Sequence, residues 1–156
     1  MKNILFLTTT PTVGGNGDAL ISAAMEEAKS NGADVHIVHI REKQIGFCQA
    51  CYGCAKTGVC VQKDDFMDIL HLAHEADAII AEAPIYYNCM AAQMMTVINR
   101  LCCTFACKTY QTGPKKRVGI FLTCTGSEPE EMKRLVTGQI IWNGQKKFPV
   151  GQQGCR

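Results

Sequence analysis

The chain has 156 residues, of which 47% are hydrophobic, and this is enough to form the core of one domain. Charged residues make up 19% and the formal net charge is +2, which argues against a nucleic-acid-binding surface and against an acidic disordered tail. No apolar run approaches the roughly 18 residues of a membrane span, and residues 1–10 lack a signal-peptide pattern. We therefore expect one cytoplasmic domain over residues 1–156, with no membrane partner.

Apolar runs typical of buried strands alternate with amphipathic helical segments along the chain. The predicted strands cover 3–8, 34–40, 78–83 and 117–123, and the predicted helices cover 18–31, 64–76 and 90–107. This alternation predicts an α/β fold with a doubly wound parallel sheet and helices on both faces. Beyond residue 127 the pattern weakens, and only a short helix over 128–136 and a short fifth strand over 139–142 are predicted.

Three loops that follow predicted strands carry the residues of a candidate binding site, because ligands of such sheets bind beyond the carboxyl ends of the strands. The phosphate loop, residues 8–18, is rich in hydroxyls and glycines whose backbone amides can surround a phosphate. The ring loop, residues 83–90, holds two tyrosines and an asparagine suited to a flat heteroaromatic ring. The third loop, residues 123–127, offers small polar groups. Taken singly, a glycine-rich turn or core-capping tyrosines would explain each loop equally well.

Taken together, the loops resemble those of the flavodoxin-like NAD(P)H-dependent FMN reductase family. Thr10, Pro11 and the Gly14-Gly15-Asn16 run stand where that family grips the flavin phosphate, and residues 84–88 stand where it lines the isoalloxazine. The resemblance implies strand order 2-1-3-4-5, with the fifth strand uncertain, and FMN as cofactor. The FMN-binding residues that it implies are Thr9, Thr10, Thr12, Gly15, Asn16, Gly17, Pro84, Ile85, Tyr86, Tyr87, Asn88, Thr123, Thr125 and Gly126.

Two features depart from that family pattern. Gly17 replaces the usual threonine or serine at the helix start, and Thr12 and Val13 replace basic residues often found in the phosphate loop. Both changes predict a reduced affinity for phosphate. The C-terminal part of the chain also matches poorly, so an exposed sheet edge would favour assembly into a homodimer or homotetramer.

Four of the ten cysteines lie in one segment, residues 46–62, which we call the cysteine loop. Their spacing is Cys-x2-Cys-x2-Cys-x5-Cys, and it favours a compact cluster over the two separated knuckles of most zinc sites. The segment resembles the cysteine motif of the iron–sulfur flavoprotein branch, and this resemblance implies a [4Fe-4S] cluster. Free or redox-active thiols and zinc remain open alternatives. The predicted ligands are Cys48, Cys51, Cys54 and Cys60.

The resemblance implies an FMN-dependent oxidoreductase that passes electrons between FMN and the cluster. No catalytic side chain is predicted, because the cofactor carries the chemistry. NAD(P)H or ferredoxin is the expected donor, and quinone or free flavin is the expected acceptor. One alternative is a cluster-free NAD(P)H-dependent FMN or quinone reductase, and another is a zinc-bound interaction module without enzymatic activity.

Overall fold

A computed structural model describes residues 1–101, 103, 116–125 and 130 of the chain. In this part of the chain, the strands are β1 (Asn3–Thr8), β2 (Asp34–His39), β3 (Ala78–Tyr86), β4 (Cys89–Met90) and β5 (Arg117–Thr123). The helices are α1 (Asn16–Ser30), α2 (Gly53–Thr57), α3 (Phe66–Glu75) and α4 (Ala92–Arg100), and a short 3-10 turn, Ile40–Glu42, follows β2.

The long strands form a parallel sheet in the order β2-β1-β3-β5. Strand β5 is the fourth of the predicted strands, so this order confirms the flavodoxin-like arrangement. In that arrangement the chain starts in the middle of the sheet and crosses over to both sides. The two-residue strand β4 is an exception, because it folds back antiparallel on the end of β3. The predicted fifth strand over 139–142 lies outside the described residues.

Helices cover the two faces of the sheet because alternate residues of each strand point to opposite sides. Leu5 and Leu7 of β1 belong to a buried cluster with residues of α3 and α4, among them Phe66 and Val97. The other face of the sheet packs against α1, which contacts β1, β2, β3 and β5. Both sides of the central strands are therefore buried, and this explains their nearly continuous apolar sequence.

The structure differs from the predicted elements at the ends of strands and helices. Strand β3 runs three residues further than predicted because Tyr86 pairs with Cys89 across a two-residue turn. Helix α2, inside the cysteine loop, was not predicted. Much of the C-terminal half of the predicted helix 90–107 and nearly all of 128–136 lie outside the described residues. None of the helices in the described part of the chain is long and apolar enough to cross a membrane.

Candidate functional site

The phosphate loop, the ring loop and the third loop meet around one open cavity of about 380 Å³ at the carboxyl edge of the sheet. That volume falls within the range of small-molecule sites. The lining residues are Thr10, Pro11, Thr12, Gly15, Asn16, Gly17, Pro84, Ile85, Tyr86, Thr123, Cys124 and Thr125. The structure thus brings together ten of the residues implied for FMN binding, with Pro11 and Cys124 in addition.

The phosphate loop is shaped by its glycines. Gly14 has a φ of +72°, a left-handed conformation that glycine adopts without the steric cost of a side chain. Gly15 then leads into α1, and no side chain caps the start of this helix. A helix N-terminus carries partial positive charge and has amides that point outward. The N-terminus of α1 is therefore suited to binding an anion.

An ion pair braces the phosphate loop from the side of β2. Arg41 donates a hydrogen bond of 3.0 Å to Asp18 and one of 3.2 Å to the Thr10 carbonyl oxygen, and the Gly14 amide donates to Asp18 at 2.8 Å. The hydrogen bond from Arg41, assisted by Gly14, holds the pKa of the Asp18 carboxyl below its ordinary 3.8 in spite of partial burial. Sequence reasoning missed Arg41, because it follows β2 and so lies outside the three loops that were expected to form the site.

A second residue that sequence reasoning missed is Glu82, a fully buried acid in the middle of the sheet. It accepts hydrogen bonds from the Thr8 hydroxyl at 2.8 Å, the Thr10 amide at 3.2 Å and the Thr123 hydroxyl at 3.2 Å. One carboxylate therefore ties the ends of β1, β3 and β5 together beneath the cavity. The signal in the sequence was a charged residue within an apolar strand, which is rarely buried without partners.

Three of the described residues implied for FMN binding do not line the cavity. The Thr9 side chain is buried and its hydroxyl donates to the Glu82 carbonyl oxygen at 3.0 Å. Tyr87 and Asn88 form the tight turn between β3 and β4, both with positive φ, and Tyr87 is fully exposed. Gly126 lies outside the described residues. The aromatic side chain that the ring loop contributes to the cavity wall is therefore that of Tyr86, which is half exposed.

The cysteine loop is more exposed than the cavity. Cys51 is exposed, whereas the other three cysteines of the loop are partly buried. Ala50 and Tyr52, on either side of Cys51, both have left-handed φ values of 50° and 56°, which are unusual for residues with a side chain. Among the described residues, no three His, Cys, Asp or Glu side chains are placed to hold a metal ion.

One buried arginine joins the two ends of the cysteine loop to α4. Arg100 is 1% exposed, and it donates to the Gly46 carbonyl oxygen at 2.8 Å, to Asp64 at 2.6 Å and to the Cys60 sulfur at 3.2 Å. Its guanidinium also lies over the Phe66 ring. Arg100 therefore fixes the loop where it begins and where it ends.

The electrostatics of this pair favour the charged forms of both residues. Burial alone would raise the pKa of Asp64, but hydrogen bonds from Arg100 and from the Gly46 and Phe66 amides bring it below its ordinary value. Burial alone would lower the pKa of Arg100, and the interactions with Asp64 and Cys60 together more than compensate, so that the net shift is upward. The pair is therefore an ion pair at neutral pH.

Sequence comparisons connect this geometry to known proteins. An iron–sulfur flavoprotein of Archaeoglobus fulgidus is 39% identical over 92 residues, which is 59% of this chain and 42% of that protein. An iron–sulfur flavoprotein of Methanosarcina thermophila is 26% identical over 94% of this chain and 86% of its own length. The chain thus spans less than half of the Archaeoglobus relative.

A structural comparison agrees on the fold. A NAD(P)H:quinone oxidoreductase of Methanothermobacter marburgensis superposes with a TM-score of 0.65 at 12% identity, covering 96% of this chain and 83% of that one. The sequence model of the family described as NADPH-dependent FMN reductase matches residues 2–137. This match covers most of the chain, including all three cavity loops and the cysteine loop, and the chain therefore belongs to the NADPH-dependent FMN reductase family.

Proposed function

We propose that this chain is an FMN-dependent oxidoreductase that binds its flavin in the three-loop cavity. The observation that carries the proposal is the meeting of a glycine-rich helix start, an aromatic wall and small polar groups around one cavity. When bound, FMN would supply the redox chemistry, in which reducing equivalents are taken from a donor and passed to an acceptor. In this proposal, residues 1–156 form a single FMN-binding domain.

The fit of the cavity to FMN follows from the chemistry of its walls. The amides at the start of α1 and the hydroxyls of Thr10 and Thr12 suit the phosphate. Tyr86 and Ile85 present aromatic and apolar surface to a flat ring, and Thr123 and Thr125 offer hydrogen bonds at its edge. The chain's part in catalysis is thus to bind and orient the flavin and to restrict its contact with water.

We further propose NAD(P)H as the electron donor and quinone or free flavin as the acceptor, with ferredoxin as an alternative donor. Family membership and the quinone oxidoreductase with the same fold support this choice. Assembly into a homodimer or homotetramer is part of the same proposal. Light scattering on the purified chain tests the assembly, and a monomer would contradict it.

The cysteine loop is proposed to hold a [4Fe-4S] cluster that exchanges single electrons with the flavin. Thiolates are the usual ligands of such clusters, and hydrogen bonds to the sulfurs tune them. Here the Ala50 amide donates to the Cys48 sulfur at 3.4 Å, and Arg100 donates to that of Cys60. Relatives named iron–sulfur flavoproteins add support.

A second candidate is a cluster-free NAD(P)H-dependent FMN or quinone reductase, because the family match does not itself require a cluster. An anaerobic visible spectrum separates the two, because a cluster adds a broad absorbance shoulder to the flavin peaks whereas a cluster-free enzyme shows flavin alone. A colourless protein that contains zinc and takes up no FMN would establish instead the non-enzymatic zinc module.

The flavin site is tested with two neighbouring tyrosines, of which Tyr86 lines the cavity and Tyr87 does not. Tyr86→Ala removes the aromatic wall of the cavity, and we expect FMN to bind about fivefold more weakly in a fluorescence titration, since an aromatic contact is worth about 1 kcal/mol. Tyr87→Ala is the matched control, because Tyr87 is fully exposed outside the cavity and its loss leaves FMN affinity unchanged. Equal losses in the two variants would contradict the site.

A further inference from the structure

Beneath the cavity, the buried carboxylate of Glu82 contacts residues of the phosphate loop and of the third loop. Thr10 and Thr123, which donate to it, both line the cavity, although Glu82 itself does not. Thr8, Thr10 and Thr123 together place three donors around its two oxygens. Among the described residues no cation forms an ion pair with it.

Gly17, at the start of α1, lies directly against this carboxylate. A Cβ atom added at Gly17 would lie 2.5 Å from Glu82 Oε1 and 2.8 Å from Thr10 Cβ, distances that packed atoms do not adopt. A serine or threonine at this position, as in the family pattern, would thus collide with Glu82. The acid and Thr10 together fill the space beside the helix start, so a side chain fits at position 17 only if they shift.

The position of the acid bears on which ligand the cavity prefers. Glu82 and the proposed phosphate would both interact with the N-terminus of α1, whose partial positive charge is limited. A negative charge separated from the cavity by a single layer of residues repels a second negative charge more strongly than it would in water. An uncharged flavin tail experiences no such repulsion.

We propose that Glu82, accommodated by Gly17, is a specificity-determining residue that reduces the preference of the cavity for a phosphorylated flavin over an uncharged one. The inference rests on the proposed flavin site and adds to it the charge of the preferred ligand. Glu82 has two effects in this account. Its hydrogen bonds hold the loops in place for either flavin, whereas its charge acts on the phosphate of FMN alone.

The test compares the binding of FMN and riboflavin, which lacks the phosphate, by fluorescence titration of the full chain. Glu82→Gln retains the shape of the side chain and removes its charge, so the affinity for FMN relative to riboflavin rises about tenfold, equivalent to about 1.4 kcal/mol. The affinity for riboflavin stays within about twofold. Glu26→Gln, which removes the same charge from an exposed site on α1, leaves both affinities unchanged.

The other outcomes overturn the inference in distinguishable ways. If Glu82→Gln weakens both flavins equally, or leaves their ratio unchanged, Glu82 has only a structural role and the flavin site still stands. If the wild-type chain binds neither flavin, the proposed function fails and the inference fails with it.

A second pair of variants tests the packing without any flavin. Gly17→Ser lowers the thermal unfolding midpoint in the wild-type chain, because the new side chain collides with Glu82. In a Glu82→Ala background the same substitution costs less, since the contact with the carboxylate is gone and only that with Thr10 remains, and the two effects are not additive. In this double variant, flavin preference shifts toward FMN. Additive midpoint changes, or an unshifted preference, would overturn the coupling between the two residues.

Discussion

The three-loop cavity and the cysteine loop are built in contrasting ways. Around the cavity, buried hydrogen bonds to Glu82 and the Asp18–Arg41 pair hold the loops in place through the core of the sheet. The cysteine loop is joined to the core at its two ends through Arg100, and the segment around Cys51 between them is exposed. The contrast teaches that the cavity is held through the core of the sheet, whereas the cysteine loop is held mainly at its ends.

The largest expected effect separates the two sites through a single cysteine. Cys51→Ala removes one of four proposed cluster ligands, so we expect iron to be lost completely while FMN stays bound, because Cys51 lies outside the cavity. Iron and flavin analysis of anaerobically prepared protein measures both. Cys89→Ala, an exposed cysteine outside the loop, is the control and retains iron. Full iron content in Cys51→Ala would show that the ligand set is wrong.

The attachment of the cysteine loop is tested at its buried arginine. Arg100→Met leaves Asp64 without its partner in a largely buried position, and we expect the free energy of unfolding to fall by about 3 kcal/mol. Urea denaturation followed by circular dichroism measures the change. Arg117→Met, at an exposed position of β5, should change stability by less than about 0.5 kcal/mol. A comparable loss of stability in both variants would argue against Arg100 as the residue that attaches the cysteine loop to the core.

The cavity is tested by placing a charge at the start of α1. Asn16→Asp sets a second acid beside the proposed phosphate position, and we expect FMN affinity to fall about tenfold, or about 1.4 kcal/mol, with riboflavin little affected. Asn31→Asp, at the far end of the same helix, is the control. An equal loss for both flavins would indicate a change of loop structure, not of charge.

The smallest effect concerns the pH dependence of stability. Because the folded pKa of Asp18 lies below its ordinary 3.8, its contribution is complete above that value and is lost as the pH falls through the folded pKa. Asp18→Asn therefore lowers stability by about 1 kcal/mol near pH 6 and reduces the further loss below pH 4. Urea midpoints measured at both pH values check this, and parallel curves for the two proteins would contradict it.

The sequence predicted the sheet and most of the cavity because both depend on local patterns. Apolar runs such as 78–83 identify buried strands, and parallel strands bring their following loops to one edge. Tyr87 and Asn88 were assigned to the FMN site by the family resemblance of residues 84–88, which does not specify the reversal into β4. Contacts between distant segments, such as Glu82 with Gly17 and Arg100 with Cys60, have no local signal.

The cysteine spacing illustrates a different limit. It restricts which metal sites are possible, but the positions of the four sulfurs depend on backbone conformations such as those of Ala50 and Tyr52, which spacing does not determine. The sequence accordingly identified the segment without determining whether its thiols meet.

Flavin and iron analysis of freshly prepared, anaerobically handled protein, repeated after addition of FMN, tests the central claim most directly. The account predicts one FMN per chain with or without iron, and about four irons per chain when the cysteine loop holds its cluster. Protein that neither retains nor takes up FMN would contradict the account.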